Sequence, residues 1–319
     1  MHIAVYLPLL LCLVVPLGAR PLSERCEPRS ATWLLTASSL ILGTASTISL
    51  ALLAITGLIR IPQLAALGHW SAYTAQHEDP AQLSIALLAC LALGGAVLMA
   101  ARMLWRRARS LATATLDAAC MPARDGLVVV DDEAPDAFAL PGLPGRIVVS
   151  TGMLHTLDET EHDILLAHER AHLTAHHYAF VALAQFGAAA NPFLRPLAVA
   201  VTYTVERWAD ENAVAATGDR ARVARAVGKA ALASRRPPAL ARTAAAALGI
   251  LGIAGRRSRR NPLASAGPVP RRVAALLAPP LPRLPVVTAA TAALLAAVTL
   301  TTAEAAADLH HLLKAVGVS

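Results

Sequence analysis

Long apolar runs alternate with Arg-rich polar stretches along this chain. Four runs stand out: Ile3 to Ala19, Thr32 to Ile59, Gln82 to Trp105 and Pro285 to Thr302. A helix needs about 20 apolar residues to cross ~30 Å of hydrocarbon. The pattern therefore predicts four transmembrane helices. The first run is short enough for a signal peptide, but Arg20, Arg25 and Arg29 follow it instead of preceding it. That order is wrong for a cleaved signal, so the run reads as a first span.

Between the third and fourth runs the pattern changes. Leu127 to Val130 and Arg146 to Ser150 are short β-branched runs bounded by Asp, Pro and Gly, and read as strands. Thr156 to Ala175 reads as a helix with an acidic start, and Val205 to Ala216 as another, ending near Gly218. Tyr178 to Val205 is apolar but broken at Asn191-Pro192, and 238–254 is Ala-rich with Arg242 inside. The expected organisation is a three-span region (1–105), a water-facing domain (106–284), a fourth span (285–302) and a short tail (303–319).

Composition agrees with a membrane protein. Hydrophobic residues make up 56% of the 319 and charged residues only 15%, and the mean hydropathy is +0.53. Soluble domains carry about a quarter charged residues. Aromatic content of 4% argues against a β-barrel with aromatic girdles. The net charge is +7. Arg collects next to the spans, at 20–29, at 102–109 and at Arg271, Arg272 and Arg283. Positive-inside counting then puts loops 20–31 and 106–284 in the cytoplasm of a cell-membrane protein and both termini outside. Topology explains the Arg, so no nucleic-acid partner is expected. The four cysteines (Cys12, Cys26, Cys90, Cys120) form no C-x-x-C pair, and no disulfide framework or cysteine metal site is read.

The chemistry lies in His168-Glu169-Arg170-Ala171-His172. This is H-E-x-x-H on a predicted helix. Spacing i, i+4 puts both imidazoles on one face, where they can ligate one Zn²⁺. Glu169 can then take a proton from the water that the metal activates. A catalytic zinc needs a third protein ligand. Glu206 and Asp210, again i, i+4 on a predicted helix, supply a candidate ligand and a carboxylate to orient a ligating histidine. Alone, such an acidic pair is a solvated helix face; downstream of H-E-x-x-H it reads as part of the site. Glu211 competes, but points about 100° away from Asp210. One zinc also restricts topology. If 178–204 crossed the membrane, Glu206 would lie on the opposite side from His168 and His172. The stretch is therefore expected to be an interfacial or re-entrant hairpin turning at Asn191-Pro192.

H-E-x-x-H followed by Glu206, Asp210 and Ala213 resembles the gluzincin membrane peptidases, which include the HtpX-like and CAAX prenyl proteases and the BlaR/MecR group. Asp136-Ala-Phe-Ala139 resembles the N-A-F-A element of the HtpX-like group. Arg146 to Leu154 resembles the strand and turn before the zinc helix, and Asn191-Pro192-Phe193 the break between the zinc helices of the BlaR group. The resemblance implies a mainly α membrane protein with four transmembrane helices and a cytoplasmic α+β zinc metallopeptidase domain between spans three and four. It also implies one Zn²⁺ per chain, a protein or peptide substrate beside the lipid bilayer, and an antirepressor-like regulatory role. BlaR-type sensors carry a penicillin-binding domain after the last span. Here Ala303 to Ser319 follows, and neither Lys229 nor Lys314 ends an S-x-x-K. The expectation is a short form without that sensor.

Other residues stay open. His176 can approach the metal as i+4 from His172, but His176 and His177 more simply read as solvated or interfacial. His162 lies off the ligand face, and His310 and His311 fall in the tail. Resemblance suggests a structural or an active-site Arg at Arg271-Arg272. Strand 146–150 is a candidate for substrate strand addition. The competing function is a zinc-binding membrane scaffold or signalling module without turnover. A channel is disfavoured by spans with few ionisable groups. A site-two protease is disfavoured because Phe193-Leu194 follows Asn191-Pro192 and acidic residues precede the H-E-x-x-H.

Overall fold

The computed structural model describes residues 5–58, 83–234, 267–282 and 284–317. The loop at 60–81, the 238–254 stretch and Arg283 lie outside them. The first apolar run folds as α1 (Leu7–Val14), a 3-10 turn (Val15–Gly18) and α2 (Ala19–Arg25). Pro16 interrupts it by lacking an N–H. Next come α3 (Pro28–Leu58) and α4 (Leu83–Cys120). The expected third span ended at Trp105; α4 continues to Cys120, because Arg106 to Ala119 keeps strong helix formers and contains no Gly or Pro.

Three strands follow: β1 (Leu127–Val130), β2 (Ala137–Leu140) and β3 (Arg146–Ser150). They form one sheet in the order β1-β3-β2, with β1 parallel and β2 antiparallel to β3. Strand β3 is therefore central and paired on both edges. That overturns the expectation that 146–150 receives a substrate strand. The free edge facing the zinc helix belongs to β2.

After the sheet come α5 (Thr151–Thr156) and α6 (Glu159–Thr174), then α7 (His177–Ala190), a 3-10 turn (Pro192–Leu194) and α8 (Arg195–Thr217). Helix α9 (Arg220–Ala233), α10 (Pro268–Leu277) and α11 (Pro285–Gly317) complete the described chain. Among the described residues, Leu7–Arg25, Pro28–Thr56, Ser84–Cys120 and Pro285–His311 are long and apolar enough to cross a membrane.

Helix α3 is the hub, packing against α4, α7, α8 and α11. Its buried face carries small polar residues, including Thr32, Thr36, Ser39 and Ser46. Small residues let helix backbones approach closely, and hydroxyls bond across the contact. Thr32 Oγ1 donates to Thr204 Oγ1 at 2.9 Å, and Ser39 Oγ to the Ala184 carbonyl at 2.8 Å. At Gly43 and Gly187 the two backbones meet with no room for a Cβ on Gly187, which would overlap the Ser39 carbonyl. Asn191 ends α7 in an extended conformation and its Oδ1 accepts from the Phe193 N–H, turning the chain into α8. Helices α7 and α8 thus lie side by side along α3 from about Thr32 to Gly43, roughly 16 Å at 1.5 Å per residue.

Candidate metal centre

The zinc-motif helix α6 begins with reciprocal capping. Asp158 accepts from the Glu161 N–H at 2.9 Å, and Glu161 accepts from the Asp158 N–H at 3.0 Å. That arrangement satisfies two orphan donors at the helix start. Lys229 Nζ of α9 holds the buried Glu161 at 2.7 Å and ties α9 to the same helix. Helix α6 lies across β2 and against α8, so the H-E-x-x-H face is enclosed between the sheet and Glu206.

Within this enclosure His168 Nε2 lies 3.2 Å from His172 Nε2. Glu206 carboxylate oxygens lie 3.7 Å from the first and 3.6 Å from the second. One ligand atom from each of the three residues falls within 4.8 Å of the others. Ligands about 2.1 Å from a tetrahedral zinc stand about 3.4 Å apart, so the separations fit that ion. Two neutral imidazole nitrogens and one carboxylate oxygen also suit zinc chemically.

The surrounding groups hold these ligands in place. Asp210 Oδ1 lies 3.1 Å from His168 Nδ1. Arg272 of α10 donates Nη1 to Glu206 at 2.7 Å, Nε to Asp210 Oδ2 at 2.8 Å and Nη2 to Asp210 Oδ1 at 2.6 Å. Arg272 is the residue that sequence reasoning left unresolved; here it is the counter-ion of both acidic groups. Arg271 points elsewhere, its guanidinium 4.4 Å from the Tyr203 ring centroid and 3.1 Å from Glu24. Glu211 is turned away, bonded to Arg220 at 2.7 and 2.9 Å. His162 bonds the Leu154 carbonyl. His176 is exposed, with a left-handed backbone. His177, read as solvated or interfacial, is 1% exposed.

Electrostatics separate the groups by role. Burial opposes charge on His168, but the Asp210 and Glu206 carboxylates outweigh it and raise its pKa to about 10. Burial keeps His172 neutral, lowering it to about 4 against the pull of Glu206. Burial works to protonate Glu206, yet Arg272 and the two imidazoles hold its carboxyl well below the usual range. Burial pushes Glu169 up to about 7, against the opposing influence of His168.

Two cavities flank the ligands. One, of about 180 Å³, runs toward α9 and is walled by Met153, Leu157, Ile164, Val223 and Val227, with His168, Glu169 and Glu206 at its polar end. The other, of about 170 Å³, lies between β2 and the α7–α8 pair, lined by Phe138, Tyr178, Val181 and Thr202. Ala137 and Glu169 border both. The Ser150 N–H donates to the Asp136 carbonyl at 2.9 Å. Antiparallel alternation then turns Phe138 and Leu140 toward β3, and leaves the backbone groups of Ala137 and Ala139 on the free edge.

Comparison with known proteins bears on this geometry. Residues 100–191 match the sequence model of Peptidase family M48. The match takes in β1 to β3 and the whole H-E-x-x-H helix, and ends before Glu206, Asp210 and Arg272. It supports a protease of the M48 type, and peptidases of that family are zinc-dependent. It covers under a third of the 319 residues. No curated protein and no solved structure matches the chain.

Proposed function

We propose that this protein is a membrane-embedded zinc endopeptidase that hydrolyses peptide bonds of a membrane or cytoplasmic protein. The observation that carries the reading is the convergence of His168 Nε2, His172 Nε2 and a Glu206 oxygen at tetrahedral separations, with Glu169 bordering both flanking cavities. His168, His172 and Glu206 would hold one zinc. Bound there, zinc supplies Lewis acidity for the scissile carbonyl and makes a water acidic enough to ionise near neutral pH.

Glu169 accepts the proton of the attacking water on a carboxylate oxygen. The water oxygen adds to the carbonyl carbon, the C–N bond breaks, and Glu169 returns the proton to the departing amine nitrogen. Asp210 holds His168 with its Nδ1–H directed backward, so that Nε2 keeps its lone pair for the metal. The free edge of β2 would align an extended substrate segment through the backbone groups of Ala137 and the Ala139 carbonyl, the Ala139 N–H being turned to the Glu169 carboxylate, with side chains entering the two cavities.

The position of the site supports a cytoplasmic domain of 106–284 between spans three and four, with 178–204 as a re-entrant hairpin and both termini outside. The Arg residues near the spans favour that sidedness. The four-run layout and the Asn191-Pro192-Phe193 break favour the BlaR/MecR-type branch and a regulatory, antirepressor-like role. The deciding experiment maps new protein N-termini in cells carrying wild type or Glu169→Gln at matched expression and zinc content. Termini that vanish in the variant establish proteolysis and identify the substrate. Identical profiles in every growth condition tested favour a zinc-binding scaffold.

A further inference from the structure

His168 and His172 use the same ring nitrogen toward Glu206, but their far nitrogens are treated differently. Asp210 faces His168 Nδ1. Among the described residues no carboxylate pairs with His172 Nδ1, which lies 3.1 Å from Nδ1 of His177. His177 is 1% exposed, and its own Nε2 is buried with no hydrogen-bond partner among the described residues. Its ring packs on Trp208, centroids 4.7 Å apart, and Trp208 is covered in turn by Arg29. Leaving a buried ring nitrogen unpaired destabilises the fold, because its hydrogen bond to water is lost and not replaced. An apolar side chain would fill this space without that cost, so the retained imidazole requires an explanation.

From the proton inventory of two neutral imidazoles we infer that His177 is the positioning residue for His172. Two facing Nδ1 atoms share one proton, so one ring donates and the other accepts. If His177 donated, the His172 proton would sit on Nε2, the atom turned toward Glu206, and that atom could not ligate. If His172 donates, its Nε2 is free for a metal and the His177 proton moves to the orphaned Nε2. Only the second arrangement is compatible with a metal on His172. His177 therefore does for the second histidine what Asp210 does for the first, with a neutral acceptor in place of an anion.

The local backbone explains how a residue next to the exposed His176 reaches this position. His176 takes a left-handed conformation, φ 53° and ψ 42°, between α6 and α7. The chain reverses there, and the first residue of α7 turns inward beneath His172.

This inference rests on the proposed zinc site, and its test separates the two. Full-length protein in detergent is compared as wild type, His177→Phe and His177→Asn, the Asn amide oxygen standing where Nδ1 stands. Zinc affinity is measured by chelator competition, and the visible spectrum of the cobalt-substituted protein reports ligand geometry. Loss of a group that orients a metal-bound histidine weakens metal binding about 10–100-fold. His177→Phe should show that loss and an altered cobalt spectrum, and His177→Asn should recover most of both. Melting of the metal-free proteins controls for packing. If His177→Phe lowers the metal-free midpoint but keeps the wild-type zinc affinity and cobalt spectrum, the positioning role is overturned. If His177→Phe does not fold, His177→Asn decides alone: wild-type affinity and spectrum support the role, and a large loss overturns it. If the wild type itself binds no zinc, the metal-site reading fails, an outcome distinct from a failure of His177 alone.

Discussion

Asp210 stands behind His168, its Oδ1 3.1 Å from the imidazole Nδ1. Both side chains are largely buried, and Arg272 neutralises the carboxylate from the far side. The first histidine is therefore held in a charged clamp, whereas the second rests against a neutral ring. Several outcomes depend on that asymmetry and on the groups around it.

Glu169→Gln should abolish turnover and leave the metal in place. A positioned general base contributes about 10²–10⁴-fold, so the expected loss is of that size. Elemental analysis of purified protein should find zinc at the wild-type level. A variant that retains full activity would remove Glu169 from the mechanism.

Zinc uptake should release one proton near neutral pH. Without metal, His168 holds a proton up to about pH 10, His172 is already neutral and Glu206 is already ionised. Metal binding must expel only the His168 proton, so affinity should rise about tenfold per pH unit above neutrality. Titration calorimetry in buffers of different ionisation enthalpy measures the count. The metal-free fold carries the complementary dependence. The raised His168 pKa contributes stability in full below its ordinary 6.5, and that contribution disappears as pH rises through about 10.

Arg272→Ala should destabilise the fold by about 3 kcal/mol, because the buried Asp210 and the half-buried Glu206 would lose their counter-ion. Arg272→Lys should fall between, since one ammonium cannot reproduce three bonds from a planar fork. Denaturant unfolding of the metal-free protein in detergent tests both. Equal stability for wild type and Arg272→Ala would show that solvent neutralises the pair instead.

The legible part of this site is the part with helical period. His168 and His172, and Glu206 and Asp210, each repeat at four residues, so one sequence pattern places each pair on one face. Arg272 lies 62 residues beyond Asp210 in an Arg-rich chain, and nothing local marks which Arg folds back. Strand β2 is Ala-Phe-Ala-Leu, with no β-branched residue to declare it, so the more β-branched 146–150 drew the substrate role proposed above for the edge. His177 was missed because burial there depends on the left-handed turn at His176, which no neighbouring glycine announces.

Ala137→Pro should weaken substrate use and spare the metal. The Ala137 N–H points to the free edge, so proline there removes no bond to β3 and gives up only the local contact with the Asp136 carboxylate. The expected change is a fall of roughly tenfold in kcat/KM, about the 1–1.5 kcal/mol of one hydrogen bond, at unchanged zinc content. Wild-type kinetics would argue that substrate does not extend the sheet.

Gly187→Ala should loosen the α7–α8 pair from α3, because the new Cβ would collide with the Ser39 carbonyl. Overpacking of this kind costs about 1–3 kcal/mol. A lower melting midpoint in detergent is the expected result, and an unchanged midpoint would show that the two helices shift apart at no cost.

The bond between Thr32 and Thr204 sets a reach. Thr32 is where the apolar run of α3 begins, and Glu206 follows Thr204 by only two residues, about 3 Å of helix. With α3 in the bilayer, the proposed hydrolysis would take place level with the first apolar turn of a lipid-embedded helix. A chain anchored in the same membrane then presents to the site only the few residues beside its own point of exit. A protease built as proposed would select substrates first by how near the bilayer their backbone comes undone, and only afterwards by the side chains they carry.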